Sequence, residues 1–454
     1  MKYKIILIIM ILLSFLSCNS EPQKNNYKTF LVDFESIDVG HVKCYIEIQI
    51  ENNKITGGTI KNSYRKNYGF IDRTIIKLFS GIKNNRLISL DGICKQTDSN
   101  HIKYSSVFSS PIGNYVIYGS IENDWLEGRI IDNDSTLRGL ISGSLVPNNE
   151  PVPITDYQQI TTKIDSSFKS NFFNPGFTKE KTYRKFITDL SKYATESIDD
   201  IHYIFSFFYY ARSLPYSHVN LWKPLDENSE LNKTKDEEAL NLELKDNVAV
   251  LKINSFSSEK GIIATHLQKI IAADVENLII DLRNNPGGNI GPAIELAQFL
   301  ISDTINGGYF LSRPYFEKPL SFEEKSCHVF SAGTIEDFMH DLNNHACIKL
   351  TVFPNAQTFK GNTYILINNR TASTCEPIVY GLKSEKKVKV IGQTTAGKML
   401  SAKEVHLSDG YSLFVPTADY ITNDKERLDG KGVEPDISLK KNINALDYTL
   451  DLVD

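Results

Sequence analysis

A serine, a pair of glycines and a histidine in three separated turns are the residues of this 454-residue chain best placed to do chemistry. Ser373 lies in Thr371-Ala372-Ser373-Thr374-Cys375-Glu376-Pro377, after the apolar run Tyr364-Ile365-Leu366-Ile367 and before Ile378, Val379 and Leu382. The run reads as a buried strand, and Pro377 in a first turn with Glu376 near the positive end reads as a helix start. Ser373 is therefore expected on a strand-to-helix bend, with its hydroxyl exposed and backbone N–H groups pointing outward, as a nucleophilic serine needs. A Thr-Ala-Ser turn by itself also reads as an ordinary helix N-cap.

Upstream, Asn277-Leu278-Ile279-Ile280-Asp281-Leu282-Arg283 has the pattern of a central strand. It runs into Asn284-Asn285-Pro286-Gly287-Gly288-Asn289 and then an apolar helical run through Ile290, Ile294, Ala297 and Leu300. Glycines between a buried strand and a helix permit close backbone approach and present N–H groups at a helix N-terminus. Such donors stabilise an oxyanion, at ~3 kcal/mol for each one removed. The expected oxyanion pair is the N–H of Gly288 or Gly287 with that of Thr374, the residue after the serine. A plain tight turn is the alternative for this segment alone. Asp281 and Arg283 are expected to brace the turn, and Asp436 to cap another.

Two further segments are Ile391-Gly392-Gln393-Thr394-Thr395-Ala396-Gly397-Lys398 and Gly430-Lys431-Gly432-Val433-Glu434-Pro435-Asp436. Taken in chain order from Asp281 to Asp436, the four segments resemble the tail-specific, or C-terminal-processing, serine peptidases, a family that includes the tricorn protease core and retinoid-binding modules; the resemblance covers roughly residues 155 to 440. It implies an α/β domain of the crotonase or Clp-protease type, built from ββα units, that hydrolyses peptide bonds through an acyl-enzyme on Ser373. Two groups compete for the serine proton. In tricorn-like members an adjacent Ser-His pair belongs to the catalytic set, which points to Ser217 and His218 in Leu214-Pro215-Tyr216-Ser217-His218-Val219. Asp429 stands where those members more often carry glutamate. In the processing subgroup a lysine follows the serine at the distance of Lys398, but its usual supporting positions hold Ala402 and Ser384. Histidine titrates near neutrality, whereas a lysine base must lose several units from ~10.4, so the reading leans to His218. The stretch between His218 and Val248 is too short for the PDZ domain that many members carry there. A silent binding protein on the same fold and an esterase-like hydrolase are the other readings.

The formal charge of −5 and the lack of a dense basic tract give no reason to expect a nucleic-acid partner. Met1-Lys2-Tyr3-Lys4, the apolar run Ile5 to Leu16 and Ser17-Cys18 read as a secretory signal, too short for a comfortable membrane span. The position of Cys18 resembles a bacterial lipoprotein cleavage site. The expected location is therefore extracytoplasmic, in the periplasm or at the outer membrane, with Cys18 lipidated and residues 19–26 as a tether. In an oxidising compartment Cys44 with Cys94 and Cys327 with Cys347 are candidate pairs, while Cys375 reads as a buried small hydrophobe. No cofactor is expected, and no metal site, because no Cys or His cluster has ligand spacing.

Residues 27–148 alternate short β-like runs with turn signals and read as an all-β domain of sandwich or barrel type: Cys44 to Ile50, Gly69 to Leu78, Tyr104 to Phe108, Tyr115 to Ser120, Leu126 to Ile131 and Leu137 to Leu145. Gly57-Gly58, Asn84-Asn85 and Asp132-Asn133-Asp134 are taken as its turns. A helical part follows over 155–225, where Tyr183, Phe186, Ile187, Leu190 and Tyr193 mark one helix face buried against a neighbouring domain, and Ser197 with Asp199 and Asp200 opens another helix. Asp226 to Asn241 reads as a polar loop. The core, residues 242–440, alternates strand and helix from Val248 to Ile253, through a helix over Ile262 to Ile271, to Leu278 to Leu282. Residues 302–360 read as an irregular insertion over the cleft, broken by Gly307-Gly308, Pro314 and Pro319, and 441–454 as a tail.

Overall fold

The computed structural model describes residues 27–37, 39–60, 86–110, 113–133, 135–233, 240–256, 261–318 and 322–453. Cys18 and the signal, Gly69 to Leu78, Asn84-Asn85, Asp134 and Pro319 lie outside these. The chain divides near Val152 and Pro153 into two compact units.

In the first unit β1 (Lys28–Ser36), β2 (Gly40–Glu51), β3 (Lys54–Thr59), β4 (Ser89–Gln96), β5 (His101–Ser110), β6 (Gly113–Glu122), β7 (Trp125–Ile131) and β8 (Leu137–Leu145) close into a barrel in sequence order. Alternation drives this: Phe30, Val32 and Phe34 of β1 are buried with Leu31, Asp33 and Glu35 less so, and Leu126 and Ile130 of β7 are buried between exposed Trp125, Glu127 and Arg129. Gly57 and Gly58 are not a turn but belong to β3. Gly58 has φ +126°, and a Cβ there would meet the Ile88 carbonyl oxygen at 1.9 Å, so the pair marks close backbone approach within the wall. Cys94 is a buried thiol, and no Cys44–Cys94 disulfide forms. Strand β3 separates β2 from β4, and two strand spacings, roughly 9–10 Å, exceed disulfide reach.

The second unit begins with three helices, α1 (Tyr157–Asn171), α2 (Lys181–Ala194) and α3 (Asp200–Ala211). Asp156 caps α1 by accepting the Gln159 N–H at 3.0 Å, and Asp199 caps α3 by accepting the His202 N–H at 2.9 Å. Tyr157, Ile160, Ile164 and Phe168 of α1 and Tyr183, Phe186, Leu190 and Tyr193 of α2 form the buried faces. The α2 face packs on helices of its own unit: the Phe168 ring of α1 lies tilted against Tyr183 at 5.4 Å, and Phe207 of α3 meets Phe186 edge-on at 5.7 Å.

Beyond them lie β9 (Asn220–Trp222), β10 (Leu240–Lys245), β11 (Val248–Ile253), α4 (Ile262–Ala272), β12 (Asn277–Asp281), α5 (Ile290–Leu300), β13 (Ile305–Ser312), β14 (His328–Phe330), α6 (Ile335–Asn344), β15 (Cys347–Val352), β16 (Asn362–Ile367), α7 (Cys375–Ser384), β17 (Lys389–Gly392), β18 (Leu400–His406), β19 (Ser412–Ile421), β20 (Ile437–Ser438) and α8 (Ala445–Val453). One sheet has the order β10-β11-β12-β16-β17-β20, parallel except for the edge strand β10. Every residue of β12 is buried, as a central parallel strand requires. The other sheet has the order β14-β15-β13-β19-β18, with β9 paired to β19. The main core joins Leu278, Ile280, Ala293, Ile294, Ile365, Ile378 and Leu382 with Ile348 and Leu350 of the second sheet, while Ala445, Leu446 and Leu450 of α8 cover Val248, Ile279, Leu366 and Ile391.

Two expectations are corrected here. Residues 302–360 are not an irregular insertion: β13, β14, α6 and β15 lie there, and Ile348, Leu350 and Val352 are fully buried. Gly307-Gly308 is a register shift inside β13 between Asn306 and Tyr309, and Pro314 opens a short helix instead of ending structure. Within Asp226 to Asn241, Glu230–Lys233 is helical and Leu231 is buried.

Phe172, after α1, has ring neighbours Phe168, Phe173, Phe177 and Tyr216 at 4.7–5.7 Å. Truncating such a ring costs the buried area and leaves a cavity. Phe172→Ala is expected to lower unfolding stability by ~3–5 kcal/mol in urea titration.

Candidate active site

Because β12 and β16 are parallel neighbours, the turns leaving their C-terminal ends lie side by side. Polar contacts bind them together. Thr371 Oγ1 donates to the Leu282 carbonyl at 2.8 Å, the Ala372 N–H to the Asn285 carbonyl at 3.0 Å, and Thr374 Oγ1 to the Gly288 carbonyl at 2.6 Å. Ser373 sits at the bend with φ +54°, a conformation few non-glycine residues hold without support. Gly287, with φ +101°, comes so close that a Cβ on it would stand 2.7 Å from Ser373 Cβ and 3.0 Å from Thr374 N.

The two glycines differ. The Gly287 N–H is committed to Asn285 Oδ1 at 2.8 Å, whereas among the described residues the N–H groups of Gly288 and Thr374 donate to nothing. Asn285, fully buried, also donates its side chain to the Ile253 carbonyl at 3.0 Å and so fixes the glycine turn to β11.

His218 arrives from the helical side of the same unit. Tyr216 is wedged edge-on against Phe172, Phe173 and Phe177, with the Arg427 guanidinium 5.1 Å from its ring centroid. On the other side β9 pairs with β19. Between these anchors His218 adopts φ +58° and places Nε2 3.1 Å from Ser373 Oγ. Its Nδ1 lies 2.8 Å from Ser217 Oγ. With the Nδ1–H donated to Ser217, Nε2 is the lone-pair nitrogen facing the serine hydroxyl. Asp429 does not touch the imidazole. Its Oδ2 accepts the Ser217 N–H at 3.2 Å and Arg427 Nη2 at 3.0 Å, and its Oδ1 the Met399 N–H at 3.1 Å. Burial pushes the His218 imidazole down to about 4; Asp429 opposes this and Lys398 adds to it.

Residues 247–439 match Peptidase family S41. This stretch is an S41 peptidase domain. The chain is 29% identical over 198 residues to a probable CtpA-like serine protease of Staphylococcus epidermidis, covering 43% of this chain and 34% of the relative. It is 26% identical over 164 residues to the chloroplastic carboxyl-terminal-processing peptidase 3 of Arabidopsis thaliana, covering 36% of this chain and 26% of the relative. The chain thus spans about a third or less of the length of these curated relatives. A solved lipoprotein from Streptococcus agalactiae is similar with a TM-score of 0.46 and 18% identity, over 66% of this chain and 96% of that one. Ser217 and His218 lie upstream of the matched stretch.

Inside the S41 domain one group was not foreseen in its actual place. Glu376, fully buried, accepts Thr395 Oγ1 at 2.6 Å and the N–H groups of Gly397, Lys398 and Ser373 at 2.8, 2.9 and 3.1 Å. From sequence it reads only as an acid at a helix start. Burial pushes its carboxyl up, and these four donors oppose the shift. Lys398 joins Ser373 through its backbone, whose carbonyl accepts the Ser373 N–H at 3.0 Å, while its side chain is exposed. Asp281 and Arg283 form a bidentate pair at 2.8 and 2.6 Å, and Asp436 Oδ2 accepts the Val390 N–H at 2.8 Å. Cys375 is fully buried.

Glu376→Ala leaves Thr395 Oγ1 and the N–H groups of Gly397 and Lys398 without this acceptor, and each orphaned buried group costs ~1–3 kcal/mol. The variant is expected to lose at least ~3 kcal/mol of unfolding stability in urea, and Glu376→Gln, which keeps one acceptor oxygen, to lose less.

Proposed function

We propose that the protein is a serine peptidase that hydrolyses peptide bonds through an acyl-enzyme on Ser373, with His218 as general base. The observation that carries this is the contact between His218 Nε2 and Ser373 Oγ at 3.1 Å, aligned by Ser217 at 2.8 Å on the opposite ring nitrogen. On attack, the Ser373 proton passes to Nε2 as Oγ bonds to the scissile carbonyl carbon. The oxyanion is received by the free N–H groups of Gly288 and Thr374, while Gly287 serves as the close-approach residue. The imidazolium then gives its proton to the departing amine as the C–N bond breaks, and water releases the acyl group by the reverse relay. Ser217 and Asp429 hold the imidazole tautomer and temper the positive charge that forms on it. Lys398 is assigned to the rim, since its side chain is exposed.

The reading extends to the rest of the chain. The two-sheet unit is proposed to be of the crotonase and Clp-protease type, with a helical part over 155–225, a catalytic part over 242–440 and a tail over 441–454. Residues 27–148 form the separate β domain. Peptide or protein chains are the substrates, and lipidated Cys18, with residues 19–26 as tether, holds the enzyme at a bacterial envelope membrane outside the cytoplasm.

A fluorophosphonate is expected to label Ser373, as read by peptide mass spectrometry, and Ser373→Ala to abolish labelling. His218→Ala should lower peptide turnover by on the order of 10⁴, with Lys398→Ala within tenfold of wild type. The opposite pattern would transfer the base to lysine. Labelling without peptide turnover, but with turnover of simple esters, would favour the esterase reading.

The base must be neutral, so its protonation removes activity. With the His218 value at about 4, the acid limb of kcat/KM is expected near pH 4 and not near the ordinary ~6.5. A pH profile of labelling rate from pH 3 to 8 checks this.

A further inference from the structure

The second sheet carries a group of side chains for which the peptidase chemistry has no use. Spacing along the chain gives no hint of it, and sequence reading found no ligand cluster. His328 opens β14, Asp341 lies in the last turn of α6, and His345 is the residue after that helix. One potential ligand atom from each of these three falls within 4.8 Å of the others. His328 Nε2 is 3.1 Å from Asp341 Oδ2, and the two imidazoles stack with centroids 4.0 Å apart and planes 4° from parallel.

The fold builds this grouping with three restraints. Helix periodicity puts Asp341 and His345 on one side, the His345 N–H closing the last turn on the Asp341 carbonyl at 2.9 Å. Parallel pairing sets His328 beside Ile348 and so brings the start of β14 to the start of β15. The Cys327–Cys347 disulfide joins the residues flanking those strand starts. Ser312 Oγ further pins the His345 carbonyl. On the neighbouring face of α6, Phe338 and Leu342 are buried in the core, so the helix cannot turn to disperse the set.

We propose that His328, Asp341 and His345 bind a zinc-class divalent metal ion that clamps the C-terminal turn of α6 to the first residue of β14. Two imidazoles and one carboxylate suit such an ion and do not suit Ca²⁺ or Mg²⁺, which take oxygen donors. Two bonds of ~2.1 Å at a tetrahedral angle place ligand atoms about 3.4 Å apart. The His328–Asp341 separation meets this already, and because an imidazole takes a metal in its own plane, the two parallel rings must rotate apart for His345 to complete the set. All three side chains are partly exposed, which leaves a way in and a coordination position for water. The clamp is structural. Helix α6 also presents Met339, whose sulfur accepts Ser401 Oγ of β18 at 3.7 Å, and its leading loop places the Gly333 carbonyl 2.8 Å from a Cβ built on Gly291 in α5.

The test uses the full-length oxidised protein, stripped with chelator and titrated with Zn²⁺ by calorimetry, and with Co²⁺ by visible absorption. One saturable site is expected, with a thermal midpoint raised by roughly 5 °C at hundredfold excess over Kd. His328→Ala and His345→Ala should each weaken binding at least tenfold, while His340→Ala, on the same helix but outside the group, leaves it unchanged. Diethyl pyrocarbonate modification of the wild type, read by mass spectrometry, needs no variant: Zn²⁺ should protect His328 and His345 and spare no protection for His340. Absence of a saturable site, binding that survives both substitutions, or equal modification with and without metal overturns the proposal.

Discussion

The buried carboxylate of Glu376 is the constraint on which the geometry around Ser373 depends. A fully buried acid is expensive unless each oxygen is matched by donors, and the donors here come from two separate parts of the chain, residues 395–398 and the serine itself. Thr395 Oγ1 carries the linkage further by accepting the Val433 N–H at 2.7 Å. The loop before β18 and the segment after Asp429 are thereby gathered onto the first turn of α7. That gathering holds Ser373 at a positive φ, where an unsupported turn would relax.

The second half of the arrangement rests on exclusion of atoms. Gly287 faces Ser373 at a distance that forbids any Cβ, and Asn285 consumes the Gly287 N–H. What is left pointing outward is the Gly288 N–H beside that of Thr374, two donors on chain segments brought together by the pairing of β12 with β16 and by the hydrogen bonds between their turns. The proposed oxyanion site is thus a consequence of parallel strand order, and its rigidity comes from the core beneath, where Ile280 and Ile365 are fully buried.

Legibility in the sequence follows the range of the interactions. Parallel strands buried on both faces are continuous apolar runs, so β11, β12 and β16 and the helices after them stand out, and with them the two turns that meet. Residues 302–360 are less legible because Gly307-Gly308 looks like a breaker; in the fold the bulge lets Tyr420 Oη reach the Gly307 carbonyl at 2.6 Å, a contact made across more than a hundred residues. Helix α1 lies inside the expected helical part and is signalled by Asp156 and the spacing of Tyr157, Ile160, Ile164 and Phe168. The partners of Glu376 are mostly backbone N–H groups, which no side-chain pattern reveals. His218 stands out weakly as a turn histidine and gains its weight from family resemblance, because an aromatic wedge and a three-residue strand carry it to Ser373.

The placement of Asp429 one residue removed from the imidazole decides how the proposed base behaves. A carboxylate directly on Nδ1 would raise the histidine's proton affinity. Here Ser217 stands between them, and Arg427, itself paired with Asp419 at 2.9 Å, neutralises part of the Asp429 charge. Desolvation therefore outweighs attraction, and the resting imidazole is held neutral far into acid. The charge that forms on proton transfer is still met, through the Ser217 dipole and the nearby carboxylate. Such a site trades basicity of the free enzyme for constant availability of the lone pair, and a histidine whose neutral form is secured in this way has no need of a lysine partner to take the serine proton.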